Sequence, residues 1–406
     1  MTKLEKLLQE LCPEGVVYKT LGEIATDVFR GAGITRDQVR ESGTPCVRYG
    51  EIYTTYGVWF ENCVSHTDET LLTSKKYFGY GDILFAITGE SVEDIAKCCA
   101  YIGHETCLAG GDIVVLKHNE DPKYLSYALS TLDAQKQKSK GKVKSKVVHS
   151  SVPNIKAIRI SVPPLPVQRE IVRILDNFTE LTAELTAELT ARKKQYAYYR
   201  DKLLSTNSSV PVVELRDIVK KSCSGATPAK GNAEYYENGT IPWIRTQDVR
   251  FNEITEVNSY ITEKAVSETA TKWIPENCVI VAISGATAGR CAINKIKATT
   301  NQHCLNLIID DSMALYKYVF HCLCSKYEEL ISRKQGARGD LNSSLILSLP
   351  IPIPSLEVQK RLVEVLDNFD AICTDLSSGL PAEIEARQKQ YEYYRDKLLT
   401  FGERFN

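Results

Sequence analysis

Six lysines alternate with small or polar residues in one short stretch of the chain. They occupy every second position from Lys136 to Lys146. Ammonium groups at this density attract phosphate oxygens, and binding of a polyanion then releases counterions. A solvated surface loop has the same composition, so the lysines alone leave both interpretations open. The shorter segment Arg333–Arg338 is a basic counterpart, and its arginines can also read guanine. The predicted contacts from these two segments are Lys138, Lys140, Lys142, Lys144, Arg333, Lys334 and Arg338.

Two clusters of hydrogen-bonding side chains follow short apolar runs at matching places in the two halves of the chain. Donors and acceptors of this kind read base edges when a rigid scaffold holds them. Each residue alone is equally consistent with a turn or surface position, but matching clusters favour recognition. The candidates in the first half are Arg48, Tyr49, Glu51, Thr54, Tyr56 and Thr88. The candidates in the second half are Arg245, Gln247, Asp248, Ser284, Thr287, Arg290, Asn301 and Gln302.

Motifs for catalysis are missing from the sequence. The segment Gly285–Arg290 lacks both the spacing and the lysine of a phosphate-binding loop. We find no Asn/Asp-Pro-Pro-Tyr/Phe methyltransferase motif and no plausible Glu-x-Lys nuclease core. The 13 cysteines never form Cys-x-x-Cys, and His303 and His321 have no partner at metal-ligand or triad spacing. We therefore predict no metal, no cofactor and no enzymatic activity of the chain alone.

The overall composition is that of an ordinary globular protein. Charged residues make up 25% and hydrophobic residues 43%, with a formal net charge of -1. A polyanionic partner must therefore be met by local basic patches, because the whole molecule has almost no net field. The sequence has no apolar run of about 18 residues and no secretory signal pattern. These features predict a soluble cytoplasmic protein with reduced thiols and no membrane partner.

A long internal repeat must position these candidates. The segment Ala191–Ser205 returns as Ala386–Thr400 with 12 of 15 positions identical. Upstream of each copy, Val167–Phe178 matches Val358–Phe369 at 7 of 12 positions. The N-terminal Leu4–Leu8 also resembles the end of the first repeat, so the order of repeats is circular. This order favours a pseudo-twofold molecule whose ends lie close together.

Helical periodicity is clearest in the repeated segments. Mostly apolar positions recur at alternating steps of three and four residues, with one extra four-residue step, a stutter, at the tandem Thr-Ala-Glu-Leu units. The positions that form this heptad seam, the stripe that faces a partner helix, are Ile171, Ile174, Phe178, Leu181, Leu185, Leu189, Arg192, Tyr196, Tyr199 and Leu203. The second helix is expected to break near 377–381, where Pro381 suits the first turn of a new helix. Two such helices in one chain most simply pair with each other, and the circular order predicts an antiparallel pair.

The fold class predicted is α+β, with two similar domains joined by two long helices in an antiparallel coiled coil. Short β-type runs dominate both regions between the helices. The expected segments are an N-terminal helix tail (1–20), a first domain (21–162), a central helix (163–207), a second domain (208–351) and a C-terminal helix (352–406).

The repeated blocks resemble those of the DNA-specificity subunits of type I restriction-modification systems, in the EcoR124-like branch. The resemblance covers the whole chain and rests on Ile-Leu-Asp-Asn-Phe, Arg-Lys-Lys-Gln-Tyr, Tyr-Tyr-Arg-Asp-Lys-Leu-Leu and the Thr-Ala-Glu-Leu tandem. It implies that the two domains are target-recognition domains for a bipartite site in double-stranded DNA, with one half-site for each domain. It also implies two methyltransferase subunits and up to two restriction subunits as partners, and it links the tetrapeptide count to the length of the spacer.

Two alternatives remain open at the level of sequence. One is the recognition subunit of a related system whose methylase and nuclease are fused. The other is a coiled-coil scaffold that binds only proteins.

Overall fold

The computed structural model of the protein describes residues 2–140, 147–205, 210–333, 340–375 and 377–403. The chain divides into two compact units. Unit 1 comprises Met1–Leu185 and Ile384–Asn406, and unit 2 comprises Thr186–Glu383. Unit 1 is therefore built from both ends of the sequence, as a circular repeat requires.

Unit 1 begins with α1 (Lys3–Leu11), whose capping box pairs Thr2 with Glu5. Its other helices and its strands are short, because turn residues interrupt the apolar runs. The helices are α2 (Leu21–Ile24), α3 (Tyr49–Thr54), α4 (Pro122–Leu129), α5 (Leu132–Ser139) and α6 (Val152–Lys156). The strands are β1 (Tyr18–Thr20), β2 (Asp27–Arg30), β3 (Val39–Arg40), β4 (Thr44–Val47), β5 (Trp59–Phe60), β6 (Ser65–Thr67), β7 (Tyr77–Phe78), β8 (Ile83–Ala86), β9 (Thr88–Gly89), β10 (Cys98–Tyr101), β11 (Cys107–Ala109), β12 (Ile113–Lys117), β13 (Val148–His149) and β14 (Arg159–Ser161).

The central helix α7 (Leu165–Leu203) starts in unit 1 and ends in unit 2. The remaining helices are α8 (Glu263–Glu268), α9 (Tyr316–Ser325), α10 (Tyr327–Ser332), α11 (Ser343–Leu347), α12 (Leu356–Thr374) and α13 (Leu380–Leu399). The strands of unit 2 are β15 (Val212–Glu214), β16 (Val219–Ser224), β17 (Ile241–Ile244), β18 (Asn252–Ile254), β19 (Tyr260–Ile261), β20 (Trp273–Ile274), β21 (Val279–Ala282), β22 (Cys291–Asn294), β23 (Ala298–Thr300), β24 (Cys304–Ile309) and β25 (Pro350–Pro352).

The two units share one sheet topology, except that the second sheet of unit 1 has one additional edge strand, β3. A five-stranded sheet has the order β2-β12-β8-β10-β5 in unit 1 and β16-β24-β21-β22-β18 in unit 2. A second sheet runs β3-β6-β4-β11-β7 in unit 1 and β19-β17-β23-β20 in unit 2. In each unit the second sheet contains one parallel pair, β4 with β11 and β17 with β23. The prediction of two domains similar in fold is confirmed.

Helix α7 pairs with the C-terminal helices in reverse order. In unit 1 the ring of Phe178 stacks on that of Tyr394, with centroids 5.6 Å apart. In unit 2 Tyr199 stacks on Phe369 at 6.1 Å. The residue numbers of the contacted partners thus decrease as the residue numbers along α7 increase, which confirms the antiparallel pairing. The partner helix is interrupted between Thr374 and Leu380.

Identical residues of the repeat attach a short helix of each unit, α4 in unit 1 and α9 in unit 2, to its long helix. In unit 1, Gln168 of α7 accepts a hydrogen bond from the backbone of Asp121 at 3.0 Å, and Asp176 pairs with Lys123 at 2.8 Å. In unit 2, Gln359 accepts from the backbone of Leu315 at 2.9 Å. There Asp367 takes the place of Asp176 and pairs with Lys317 at 2.7 Å. Both glutamines are fully buried, so the amide contacts replace their lost hydration.

The C-terminal residues complete unit 1. Val16 forms a parallel bridge with Glu403, and the Tyr18 hydroxyl donates to the carbonyl of Phe401 at 3.2 Å. Tyr391 and Leu399 of α13 are buried in the core of this unit. The N-terminal segment and the end of the chain are therefore folded together.

All 13 cysteines are free thiols. Within the described ranges, no group of three or more His, Cys, Asp or Glu side chains has the arrangement to hold a metal ion. In the same part of the chain, no helix combines the length and apolar character needed to cross a membrane.

Candidate nucleic-acid interface

A loop between the two sheets of unit 2 brings several predicted site residues together. The carboxyl ends of β17 and β23 meet because these strands are parallel. The loop 301–303 follows β23 and is held from both sides: the backbone N–H of Asn301 donates to Ile244 at 3.0 Å, and that of Ile283 donates to His303 at 2.9 Å. Arg245 and Ser284 follow Ile244 and Ile283 in sequence, so the predicted clusters lie around this loop.

Unit 1 holds the loop 110–112 with the same set of backbone hydrogen bonds. The N–H of Gly110 donates to Val47 at 2.8 Å, and that of Ile87 donates to Asp112 at 3.0 Å. Arg48 and Thr88 follow those anchoring residues. The loop anchors are thus shared, while the side chains differ: Gly-Gly-Asp in unit 1 and Asn-Gln-His in unit 2. A common scaffold with divergent side chains can read two different targets.

Arg48 and Arg245 occupy equivalent positions with unequal partners. The Nε of Arg48 lies 4.0 Å from a carboxylate oxygen of Glu51. Arg245 instead lies over the ring of Trp243, with its guanidinium carbon 5.9 Å from the centroid. Its buried Nε has no hydrogen-bond partner within the described residues. An unsatisfied buried donor of this kind is costly unless a ligand completes it.

Glu51 and Asp248 hold the backbone at these sites. Each carboxylate accepts the backbone N–H of the arginine three positions earlier, Glu51 from Arg48 at 3.1 Å and Asp248 from Arg245 at 2.8 Å. Glu51 also accepts from Ser65 at 2.7 Å. These acids therefore shape the turns after β4 and β17.

Two predicted base-reading side chains lie inside the protein. Tyr56 is buried, its ring stacks on Phe60 at 4.0 Å, and its hydroxyl accepts from the backbone of Val64. Burial raises the pKa of the Tyr56 hydroxyl above its ordinary value. Asn301 is 8% exposed, and its side-chain oxygen accepts the N–H of His303 at 3.1 Å. Both placements favour a structural role over direct base contact.

The other predicted residues near these loops keep some exposure. Tyr49, Thr54 and Gln247 are exposed, and Thr88, Ser284, Thr287 and Arg290 are partly exposed. The Thr88 hydroxyl lies 3.2 Å from Nδ1 of His149, on the strand that pairs with β9. Thr287 is the last residue of the short 3-10 turn Gly285–Thr287, and the N–H of Arg290 donates to its carbonyl at 3.0 Å.

The predicted basic segments are only partly described by the structure. Lys138 is 7% exposed, and its ammonium donates to the carbonyl of Leu129 at 2.8 Å. This inward position does not support a phosphate contact, and it arises because α5 turns this side chain toward the core. Lys140 is exposed, and Arg333 pairs with Glu329. Lys142, Lys144, Lys334 and Arg338 lie outside the described residues.

Sequence reasoning missed four polar residues at the loops: Arg30 and Asp112 in unit 1, Thr227 and His303 in unit 2. Arg30 donates to Asp112 at 2.5 Å and to the carbonyl of Gly111 at 2.8 Å. The sequence offset between the units is 197 at Arg48 and Arg245 but 191 at the loops. Because this offset changes and the two loops have no residue type in common, a simple alignment of the two halves of the sequence could not have found these four residues.

The sequence matches the model of a known family twice. The model, described as the type I restriction modification DNA specificity domain, matches residues 13–192 and 207–386. The chain belongs to this family. The DNA specificity domain therefore occurs in tandem and accounts for most of the sequence.

Specificity subunits are also the most informative relatives. The chain is 38% identical over 292 residues to the type I restriction enzyme EcoR124I/EcoR124II specificity subunit of Escherichia coli, covering 69% of this chain and 70% of that protein. A putative type I restriction enzyme specificity subunit of Haemophilus influenzae is 32% identical over 278 residues, covering 64% and 68%. The predicted resemblance is confirmed, and the chain is a specificity subunit, a non-catalytic component.

Solved structures of the family share the fold. One, from work on assembly and conformational transition of the type I system, has a TM-score of 0.68 at 17% identity and covers 96% of this chain and 98% of its own. The S subunit of the type I system of M. genitalium has a TM-score of 0.52 at 15% identity, covering 98% and 99%. At these identities the likeness shows the architecture alone.

Proposed function

We propose that this specificity subunit reads a bipartite target in double-stranded DNA, with one half-site for each unit. The observation that carries the proposal is the pair of loops 110–112 and 301–303. Equivalent backbone hydrogen bonds hold the two loops, but the loops carry different side chains. Direct readout needs donors and acceptors on a rigid support, and these loops supply both.

Arg245 supports a DNA contact in unit 2. Its guanidinium is stacked over an aromatic ring and has an unpartnered buried Nε within the described chain. A bidentate contact to guanine or to a phosphate would engage such a group. Arg48, which lies near Glu51, offers the equivalent contact in unit 1.

Exposed and partly exposed residues around the loops complete the proposed interface, with Tyr49, Thr54 and Thr88 in unit 1 and Gln247, Ser284, Thr287 and Arg290 in unit 2. The basic segments that contain Lys140, Lys142, Lys144, Arg333, Lys334 and Arg338 are proposed to contact phosphates. Contacts of this second kind position the protein on the duplex without reading its sequence. The proposed recognition domains are residues 21–162 and 208–351. The proposed location of the whole protein is the cytoplasm.

The partners proposed are two methyltransferase subunits and up to two restriction subunits. The relatives carry the names of subunits of type I restriction enzymes. Two equivalent exposed faces support a repeated partner: the ammonium of Lys202 lies 5.8 Å from the ring centroid of Tyr198, and that of Lys397 lies 5.7 Å from that of Tyr393. Both tyrosines are well exposed, which is the state expected of a docking aromatic.

The test combines binding and methylation. The chain copurified with the methyltransferase of its own system should methylate a split motif, mapped by single-molecule sequencing of the host genome. The chain alone, incubated with DNA and S-adenosylmethionine, should transfer no methyl groups. Filter binding with random genomic DNA separates this proposal from a protein-only scaffold, which would retain no DNA. A continuous methylated motif would contradict the bipartite target.

A further inference from the structure

Gln302 is an exposed amide whose orientation is fixed by its neighbours. Its side-chain oxygen accepts a hydrogen bond from the Thr227 hydroxyl, and its nitrogen lies 3.2 Å from Nε2 of His303. The loop beneath it is anchored through the buried Asn301. Gln302 is therefore presented to solvent by a preorganised support instead of moving freely.

The equivalent positions in unit 1 carry no side chains. Gly111 corresponds to Gln302 and Gly33 to Thr227, because Ala32 and Ala226 form the same backbone bond to the strand before each loop. A Cβ added to Gly111 would lie 3.2 Å from the Cα of Gly33. Unit 1 thus packs backbone against backbone where unit 2 presents an amide.

The amide retains the groups needed for one particular base. A carboxamide has two N–H groups and two acceptor sites on its oxygen. One N–H of Gln302 is directed to His303 and one acceptor site on its oxygen is used by Thr227, so one donor and one acceptor remain. Adenine offers the complementary pair in the major groove, a donor at N6 and an acceptor at N7, whereas guanine offers two acceptors.

We infer that Gln302 reads an adenine in the half-site of unit 2, with Thr227 and His303 as positioning residues. This inference rests on the proposed function and assigns one base contact within it. Unit 1 has no amide at this position and reads its half-site without that contact.

The experiment uses the complex of the full chain with its methyltransferase and maps the methylated motif base by base. Gln302→Ala should relax one adenine position in one half-site, reducing its preference by about 5- to 150-fold, the discrimination typical of a bidentate contact. Gln302→Glu should move the preference toward cytosine, because a carboxylate accepts from its amino group. The other half-site and the spacer should stay unchanged. Gln9→Ala, which removes an exposed amide from α1, is the matched control and should alter no position.

The positioning role of Thr227 is tested at the same base. Thr227→Val keeps the shape and removes the hydroxyl, so it should relax the same position, and Thr227→Ser should restore it. A structural role alone would lower methylation at all sites without changing the preference. An unchanged motif for both Gln302 variants overturns the inference while leaving the proposed function intact. Absence of a split motif for the unaltered chain would instead refute the proposed function.

Discussion

Glu170 is a carboxylate enclosed between two cations at the start of the central helix. Its side chain is 3% exposed and lies 2.7 Å from Arg173 and 2.8 Å from Lys3. Hydrogen bonds from Arg173 and then Lys3 outweigh desolvation and lower the pKa of the Glu170 carboxyl from 4.5 to about 2. A group with a depressed folded-state pKa stabilises the fold above its unfolded pKa.

Stability should therefore fall as the pH decreases from about 4.5 toward 2. Glu170→Gln should lower the free energy of unfolding at pH 7 and flatten this acid dependence, measured by urea denaturation at a series of pH values. Glu10→Gln, on the exposed side of α1, is the control and should change stability by less than about 0.5 kcal/mol. An equal loss for Glu170→Gln at pH 7 and at pH 3 would show that the ion pairs are not its cause.

The residue scale is where sequence reasoning was least complete. It identified Arg48 and Arg245 from a shared offset, and the structure places them at equivalent turns. It could not predict that Asn301 and Tyr56 face inward, because nothing in the sequence distinguishes a polar side chain that is buried to support a loop from one that is exposed. The spacing of His303 predicted no metal or catalytic role for it, and spacing could not reveal that its ring lies 3.2 Å from the side-chain nitrogen of the exposed Gln302.

The repeated sequence blocks are explained at the scale of the helices. Gln168 and Asp176 of α7 hold the start of α4 in unit 1, and Gln359 and Asp367 of α12 hold the start of α9 in unit 2. Heptad periodicity predicted the helices from their apolar seam. It did not predict these polar attachments, because their partners lie far away in sequence.

Leu175 and Leu366 occupy matched, fully buried positions on α7 and α12. Leu175→Ala and Leu366→Ala should each lower the free energy of unfolding by about 2–5 kcal/mol, since each change leaves a cavity in a core. Chemical denaturation of the purified chain measures the loss. Val365→Ala, at a position that is 44% exposed next to Leu366, is the control and should have little effect. Similar losses for Val365→Ala and Leu366→Ala would contradict the assigned packing.

The Thr-Ala-Glu-Leu tandem lies within α7, which is continuous from Leu165 to Leu203. One more unit inserted after Leu189 should lengthen the helix by about 6 Å and rotate the remainder of α7 by about 40°. Together with the family resemblance, this predicts unchanged half-sites with a spacer longer by one base pair. Methylome sequencing of a host carrying the insertion and the methyltransferase measures the spacer.

The control for this prediction inserts the same four residues after Ser74, in an exposed loop of unit 1. That insertion adds chain without lengthening the helix, so the spacer should keep its length. An active tandem variant with the original spacer would mean that the helix connects the units without setting the spacing.

At the scale of the whole molecule, duplication predicts independent halves. Exchange of residues 21–162 for the corresponding domain of a subunit with another target should change one half of the methylated motif, because the loop 110–112 is held entirely within unit 1. Exchange of residues 208–351 should change the other half. Motif mapping after each exchange is the measurement, and a change in both halves from one exchange would show coupled reading.

The fold of the whole molecule was largely predictable from sequence. Near-identical blocks revealed the duplication, and the resemblance of Leu4–Leu8 to the later repeats indicated circular order. The sheet order could not be predicted, because strands of two to six residues pair through contacts distant in sequence.

The discontinuity of unit 1 has a consequence for biosynthesis. Unit 2 is one continuous segment, whereas the core of unit 1 includes Tyr391 and Leu399 from the end of the chain. A ribosome adds about 5–20 residues per second, so roughly 200 residues of unit 2 delay the arrival of that last helix by about 10–40 s. Unit 1 therefore leaves the ribosome first but is completed last. Its core lacks the side chains of the last helix until unit 2 has been translated.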